Sequence, residues 1–177
     1  MTHGPHVRVL ALELRPRRFG FAVFEGRTRL LEWGVTRNFY GTELHLCGPG
    51  RRRMIALVRF FLPSVVVVRE AASGRDGAES EGIWAIIEVE ALCSAIEMIV
   101  VKSSDIERCF GALRKMTKHE IAARIALHFP ELTWRLPPPK KPWEKEHYNT
   151  PMFDAVSVGI VYWEQTDNPA PGEGSDP

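Results

Sequence analysis

The chain is poor in cysteine, and what it has is not spaced for metal. Cys47, Cys93 and Cys109 are odd in number and contain no CxxC pair. Such a set reads as reduced, buried thiols of a cytoplasmic protein, not as a disulfide framework or a zinc site. No apolar run reaches the roughly eighteen residues of a membrane span, and Met1-Thr2-His3-Gly4-Pro5-His6 is not a signal peptide. A soluble protein away from membranes is therefore expected. Gly111-Ala112-Leu113-Arg114-Lys115 lacks the glycine spacing of a phosphate-cradling P-loop. His45, His119, His128 and His147 show no metal-ligand spacing. There is no internal repeat, and the net charge of +1 points to no partner class.

What is present is a globular composition with unusual acids. At 177 residues, 45% hydrophobic and 25% charged, the chain is long enough for one domain with a sizeable core. Three carboxylates sit at the edges of apolar runs. Glu13 closes Val7-Arg8-Val9-Leu10-Ala11-Leu12, Glu70 follows Val65-Val66-Val67-Val68-Arg69, and Asp154 lies in the first turn of an apolar stretch from Phe153 to Trp163. A charge where a buried strand emerges is how an α/β sheet presents reactive groups at its carboxyl edge. Three such acids, distant in sequence, can converge on a divalent cation.

The pattern predicts strands at Val7 to Leu14, Phe19 to Glu25 and Leu30 to Thr36, with Glu25-Gly26-Arg27-Thr28 as a turn, so an antiparallel meander opens the chain. A helix is expected over Arg53 to Leu62, stopped by Pro63. Four consecutive valines then make a strand buried on both faces and parallel to its neighbour. Ala71 to Glu81 reads as a polar loop, Gly82 to Glu97 as a long helix, and Met98 to Lys102 as a short strand. Thr117 with Glu120 forms a capping box for a helix from Lys118 to Phe129. Pro137 to Tyr148 is a proline-rich connector with basic and aromatic residues. Thr150 and Pro151 suit the start of a last helix to about Trp163. The expected organisation is one α/β domain over 1–163 and a disordered proline-, glycine- and acid-rich tail over 164–177.

Basic residues cluster at Arg15-Pro16-Arg17-Arg18, Arg51-Arg52-Arg53 and Lys140-Lys141. They are either solvated surface charge or a rim that neutralises phosphates around an acidic centre.

The order of elements and acids resembles the ribonuclease H-like fold, and specifically the RuvC-type Holliday-junction resolvases. Leu10 to Val23 looks like that family's opening strand, acid, turn and "TGYGV"-like second strand, with Gly20 seven residues after the acid. Pro63-Ser64-Val65-Val66-Val67-Val68-Arg69-Glu70 is similar to its "P-x-x-x-x-x-E" motif, and Asp154-Ala155-Val156-Ser157-Val158-Gly159 resembles "D-A-x-A-x-A". Lys118 matches a family lysine near the cleavage site. The resemblance implies a mixed five-stranded sheet flanked by helices and an endonuclease acting on branched nucleic acid in DNA recombination and repair. It further implies Mg2+ (or Mn2+) held by Glu13, Glu70 and Asp154, with Lys118 stabilising charge on phosphate oxygens.

The chain also departs from the family. The first acid is Glu13, not aspartate; Leu14-Arg15 replaces the "P-G" turn; and Pro151 stands where a further acid or histidine is usual. The Glu13 exchange and Pro151 are the warrant for an alternative, a degenerate member that binds nucleic acid or protein and cuts nothing. Glu88, in an apolar arc with Trp84, Leu92 and Ala95, and His147 are further candidates to complete the site. Each main acid also has a structural reading: Glu13 paired with Arg15 or Arg17, Glu70 with Arg69 or Arg75, and Asp154 on the dipole of its helix. The helix 82–97 carries a wider apolar face than one sheet needs. Either the helix Lys118 to Phe129 covers the excess or a second chain does, and the resemblance implies a homodimer.

Overall fold

The computed structural model describes residues 7–15, 18–37, 48–70, 75–111, 114–141 and 143–167. Strands β1 (Arg8–Arg15), β2 (Arg18–Glu25) and β3 (Arg29–Arg37) form the expected meander. Gly26, at φ 65°, makes the left-handed turn between β2 and β3. Helix α1 (Pro49–Phe61) leads to β4 (Val65–Arg69), α2 (Arg75–Cys93), β5 (Glu97–Val101) and α3 (Ser103–Phe110). Then follow α4 (Lys118–His128), a 3-10 segment (Pro130–Arg135) and α5 (Thr150–Asp167). The sheet order is β3-β2-β1-β4-β5, with β1–β2 and β2–β3 antiparallel and β1–β4 and β4–β5 parallel. This is the mixed five-stranded sheet that the sequence predicts, with the valine strand fully buried in its parallel half.

Strand alternation sorts the core into two layers. Val9 and Ala11 of β1 and Val65 and Val67 of β4 pack with α3, α4 and α5. Leu10, Leu12, Val66 and Val68 pack on the other face, with Met54, Leu57 and Val58 of α1 and Ile87 of α2. Helix α5 is buried from Thr150 to Gly159 because it lies between the sheet and the α3–α4 layer. An apolar run without a polar stripe suits that place.

The second half of the sheet differs from expectation in its boundaries. Residues 75–81, expected as loop, are the first turns of α2. That helix ends at Cys93, and Glu97 opens β5 instead of closing the helix. Ala95, at φ 52°, makes the break, a left-handed turn that the sequence marks with no glycine. Cys93, expected to be buried, is exposed, and Cys109 is half-buried; Cys47 lies outside the described residues. Glu88 is exposed and accepts a hydrogen bond from Trp84 Nε1 at 2.7 Å, a partner within its own helix. Helix α5 runs to Asp167, and the rest of the expected tail lies outside the described residues.

Candidate functional site

The site stands where β1 and β4 end. Continuing the alternation of Val9 and Ala11, Glu13 and Arg15 face α5, and by the same count Arg69 faces it from β4. Gly20 pairs with Glu13 in the β1–β2 register, and a Cβ on Gly20 would overlap the carbonyl of Pro151. The missing side chain lets the first turn of α5 lie against the sheet, which sets Asp154 beside Glu13.

A single nitrogen joins the two acids. Arg15 Nη2 is 2.6 Å from Asp154 Oδ2 and 3.1 Å from Glu13 Oε1, and Glu146 Oε1 stands 3.6 Å away. Lys118 Nζ donates to Glu146 at 2.7 Å and to Asp154 at 3.1 Å. Arg18 donates to Glu146 at 3.2 Å. Arg69 Nη1 lies 3.6 Å from Glu13 and is steadied by Ser103, whose Oγ accepts from its Nε and Nη2, each at 3.2 Å.

Glu13 is the strained member of this cluster. It is 3% exposed, and its Oε2 is buried without a hydrogen-bond partner. Burial, with Asp154 adding to it, raises its carboxyl from 4.5 to about 7 against the pull of Arg15, Arg69 and Lys118. Glu146 moves the other way: burial opposes its ionisation, but the Lys118 hydrogen bond and the charges of Arg15, Lys118 and Arg18 hold it below the usual carboxylate range.

Of the residues the sequence singles out, Glu13, Asp154 and Lys118 meet here and Glu70 does not join them. Glu70 is exposed one residue beyond β4, with its N–H bonded to Val101 O at 2.8 Å. The residue facing Glu13 is Arg69. The six-residue step from Pro63 in the family pattern indeed ends on Arg69, so the signal was in the count. The pairing of Glu13 with Arg15, read from sequence as a structural alternative, is present. Arg51 and Arg53 pair with Glu90 and Glu32 on the α1 face and do not rim the site. His147 is exposed, its Nδ1 accepting from Asn149 N at 3.2 Å. Glu146 was missed. It lies in the proline-rich connector, where no periodicity marks it, and the pinning of that connector brings it in.

These residues do not fit a divalent cation. Glu13, Asp154 and Glu146 face Arg15, Arg18, Arg69 and Lys118, so the cluster already carries more positive than negative charge, and an added dication would meet net repulsion. The guanidinium of Arg15 occupies the space between the two acids that an ion shared by them would take. Among the described residues no three His, Cys, Asp or Glu side chains converge to hold a metal. What the arrangement offers instead is guanidinium and ammonium groups at a surface edge, suited to phosphate oxygens.

No family model matches the chain, and no curated protein matches it by sequence. Solved structures do match. The chain superposes on Thermus thermophilus RuvC in complex with a Holliday junction substrate at TM-score 0.70 and 15% identity, over 92% of this chain and 96% of that one. The yeast mitochondrial Holliday junction resolvase Ydc2 gives 0.61 at 13% identity, over 90% and 80%. Fowlpox virus resolvase, also with its Holliday junction DNA, gives 0.55 at 10%, over 90% and 99%. The fold is that of the RuvC-type resolvases.

Proposed function

We propose, from the resolvase fold and the charge of this edge, that the chain binds branched nucleic acid, holding backbone phosphates with the cations around Glu13 and Asp154, and does not cut it by a metal-dependent route. The observation that carries the reading is Arg15 Nη2 between the two acids. On this reading Arg15 is a resident cation that neutralises the carboxylates and orders the edge. Lys118, 48% exposed, presents positive charge outward, and Arg69 adds a partly exposed guanidinium beside Glu13. An excess of cations over carboxylates there favours phosphate over metal. The exposed Cys93 suits the reducing cytoplasm, and among the described residues no helix is long and apolar enough to cross a membrane. Val89 and Leu92, exposed on α2, favour a homodimer through that helix. Sedimentation tests it, with Leu92→Glu, at an exposed position, expected to yield a folded monomer.

A second reading has its own observation. The partnerless Oε2 of Glu13 is what a metal ligand stripped of its ion would show. A divalent-metal endonuclease using Glu13, Asp154 and Glu70 would then require Arg15 to withdraw.

One experiment separates the two. A labelled four-way junction is incubated with the chain, with Glu13→Asp and with Asp154→Asn, in magnesium and in manganese. Binding without cleavage by any of them is expected. Lys118→Ala and Arg69→Ala are each expected to weaken binding and to lower the salt slope by about one. Cleavage by the parent chain that Asp154→Asn abolishes would instead establish the metal-dependent enzyme.

A further inference from the structure

Between α4 and α5 the chain spends the residues 129–149 on a connector whose regular structure, among the described residues, is the 3-10 turn Pro130–Arg135. It is nevertheless tied down. His119 Nδ1 meets Pro137 O at 2.8 Å, Asn149 Nδ2 donates to Arg135 O at 3.0 Å, and Glu146 takes Lys118 and Arg18 at the carboxylate cluster. This pinned strap turns three large rings outward: Trp134 is 72% exposed, Trp143 78% and Tyr148 41%. Every one has a cation over its face. Arg135 lies 4.3 Å from the Trp134 centroid and Lys141 5.7 Å from that of Trp143. Tyr148 has Arg18 at 5.9 Å and Arg37 at 5.8 Å.

We propose that this connector is a platform for unpaired bases of nucleic acid, continuous with the phosphate-binding edge. The inference rests on the reading of that edge as a nucleic-acid site and extends it to a substrate feature. An exposed ring offers a stacking face to any base, and a cation beside it meets the phosphate of the same nucleotide; that pairing is how single strands are held without sequence preference. Duplex contacts need the cations but not the rings, because paired bases stack on each other and present only their edges. A protein partner is disfavoured at Trp143 by Lys141 beside its ring, since interface cores are depleted in lysine. The platform joins the site through Arg18, which lies over Tyr148 and also donates to Glu146 in the cluster. A strand tracked along the edge would therefore pass its bases over the rings.

The test uses the full chain, a labelled oligothymidine strand and a labelled four-way junction with fully paired arms. The strand is expected to bind and to quench tryptophan fluorescence. Trp134→Ala and Trp143→Ala are each expected to weaken strand binding roughly tenfold or more while changing junction binding less, and Trp143→Phe to retain most of it. Both tryptophans are exposed, so the variants keep the parent's melting temperature. If the alanine variants bind the strand as tightly as the parent does, with the junction still bound, the platform is overturned and the reading of the edge stands. A parent chain that binds neither probe removes that reading and the platform together.

Discussion

Helix α5 carries an arginine–carboxylate cluster at each end, and the two differ most in burial. At its start, Asp154 meets Arg15, Glu13, Lys118 and Glu146. At its finish, Glu164 and Asp167 both meet Arg27 of the β2–β3 turn, with the Arg27–Asp167 bond at 2.7 Å. The bonds are alike in kind. The side chains at the far end are 39–48% exposed, whereas that of Glu13 is 4% exposed. Water can replace any partner at the far end, and pairs of that kind contribute about 0–1 kcal/mol each. At the near end Glu13 has no water to fall back on, so its charge depends on Arg15 and its ionisation is shifted. Burial, not the presence of opposite charges, separates a site from a surface contact.

The largest test of this contrast acts on what creates the burial. Gly20→Ala would drive a Cβ into the Pro151 backbone, and the first turn of α5 must then lift away from β2. A loss of about 3 kcal/mol or more in unfolding free energy is expected, the upper end for overpacking. Gly159→Ala, further along the same helix, meets the ring of the fully buried Phe24 instead. A ring can tilt where a backbone cannot, so a smaller loss is expected. Urea denaturation of both variants checks the order. Equal losses would mean that α5 does not depend on Gly20 for its seat.

Much of this arrangement was legible in the sequence, and the part that was not has identifiable causes. Period-two patterning and the turn at Gly26 placed the meander, four valines placed β4, and the Thr117–Glu120 box placed α4, where Thr117 Oγ1 accepts from Glu120 N and Glu120 Oε2 accepts from Thr117 N. These signals are local. The break after Cys93 is set by Ala95 in a left-handed conformation, which no residue type announces. Helix α3 went unread because its eight residues bury only Ile106 and Phe110. At the site, Glu13 and Asp154 were visible as charges ending or opening apolar runs. Glu146 was not, because only the folded-back connector brings it to Lys118 and Arg15.

A second test asks whether the buried acid sets a pH dependence. With its folded pKa raised to about 7 from 4.5, Glu13 binds its proton more tightly in the folded chain. Its contribution is therefore fully present below about pH 4.5 and is lost as pH rises through about 7. The loss is on the order of 3 kcal/mol at most. Glu13→Gln is expected to flatten this fall, so that the variant gains on the parent chain between pH 5 and about 8. Glu146 gives the opposite slope in acid: its lowered folded pKa contributes stability that is lost as pH falls. Chemical denaturation across pH measures both. A Glu13→Gln profile parallel to the parent's would show that Glu13 is ionised normally and that burial is not what distinguishes the near cluster.

The smallest effect belongs to the far cluster. Arg27→Ala removes both ion pairs with Glu164 and Asp167. Exposed pairs alone predict a loss of about 1 kcal/mol or less, fading in high salt. One feature adds to it. Glu164 and Asp167 lie toward the carboxyl end of α5, and its last turn carries no basic residue, so the two acids face the negative end of the helix dipole with Arg27 as their counter-charge. Removing Arg27 is therefore expected to fray the last turn of α5 while leaving Asp154 in place. Amide exchange would show faster exchange confined to the end of the helix, together with junction binding like that of the parent chain. An Arg27→Ala variant that lost junction binding would mean that the two ends of α5 are mechanically coupled, and the contrast between a site and a surface contact would fail at the helix that joins them.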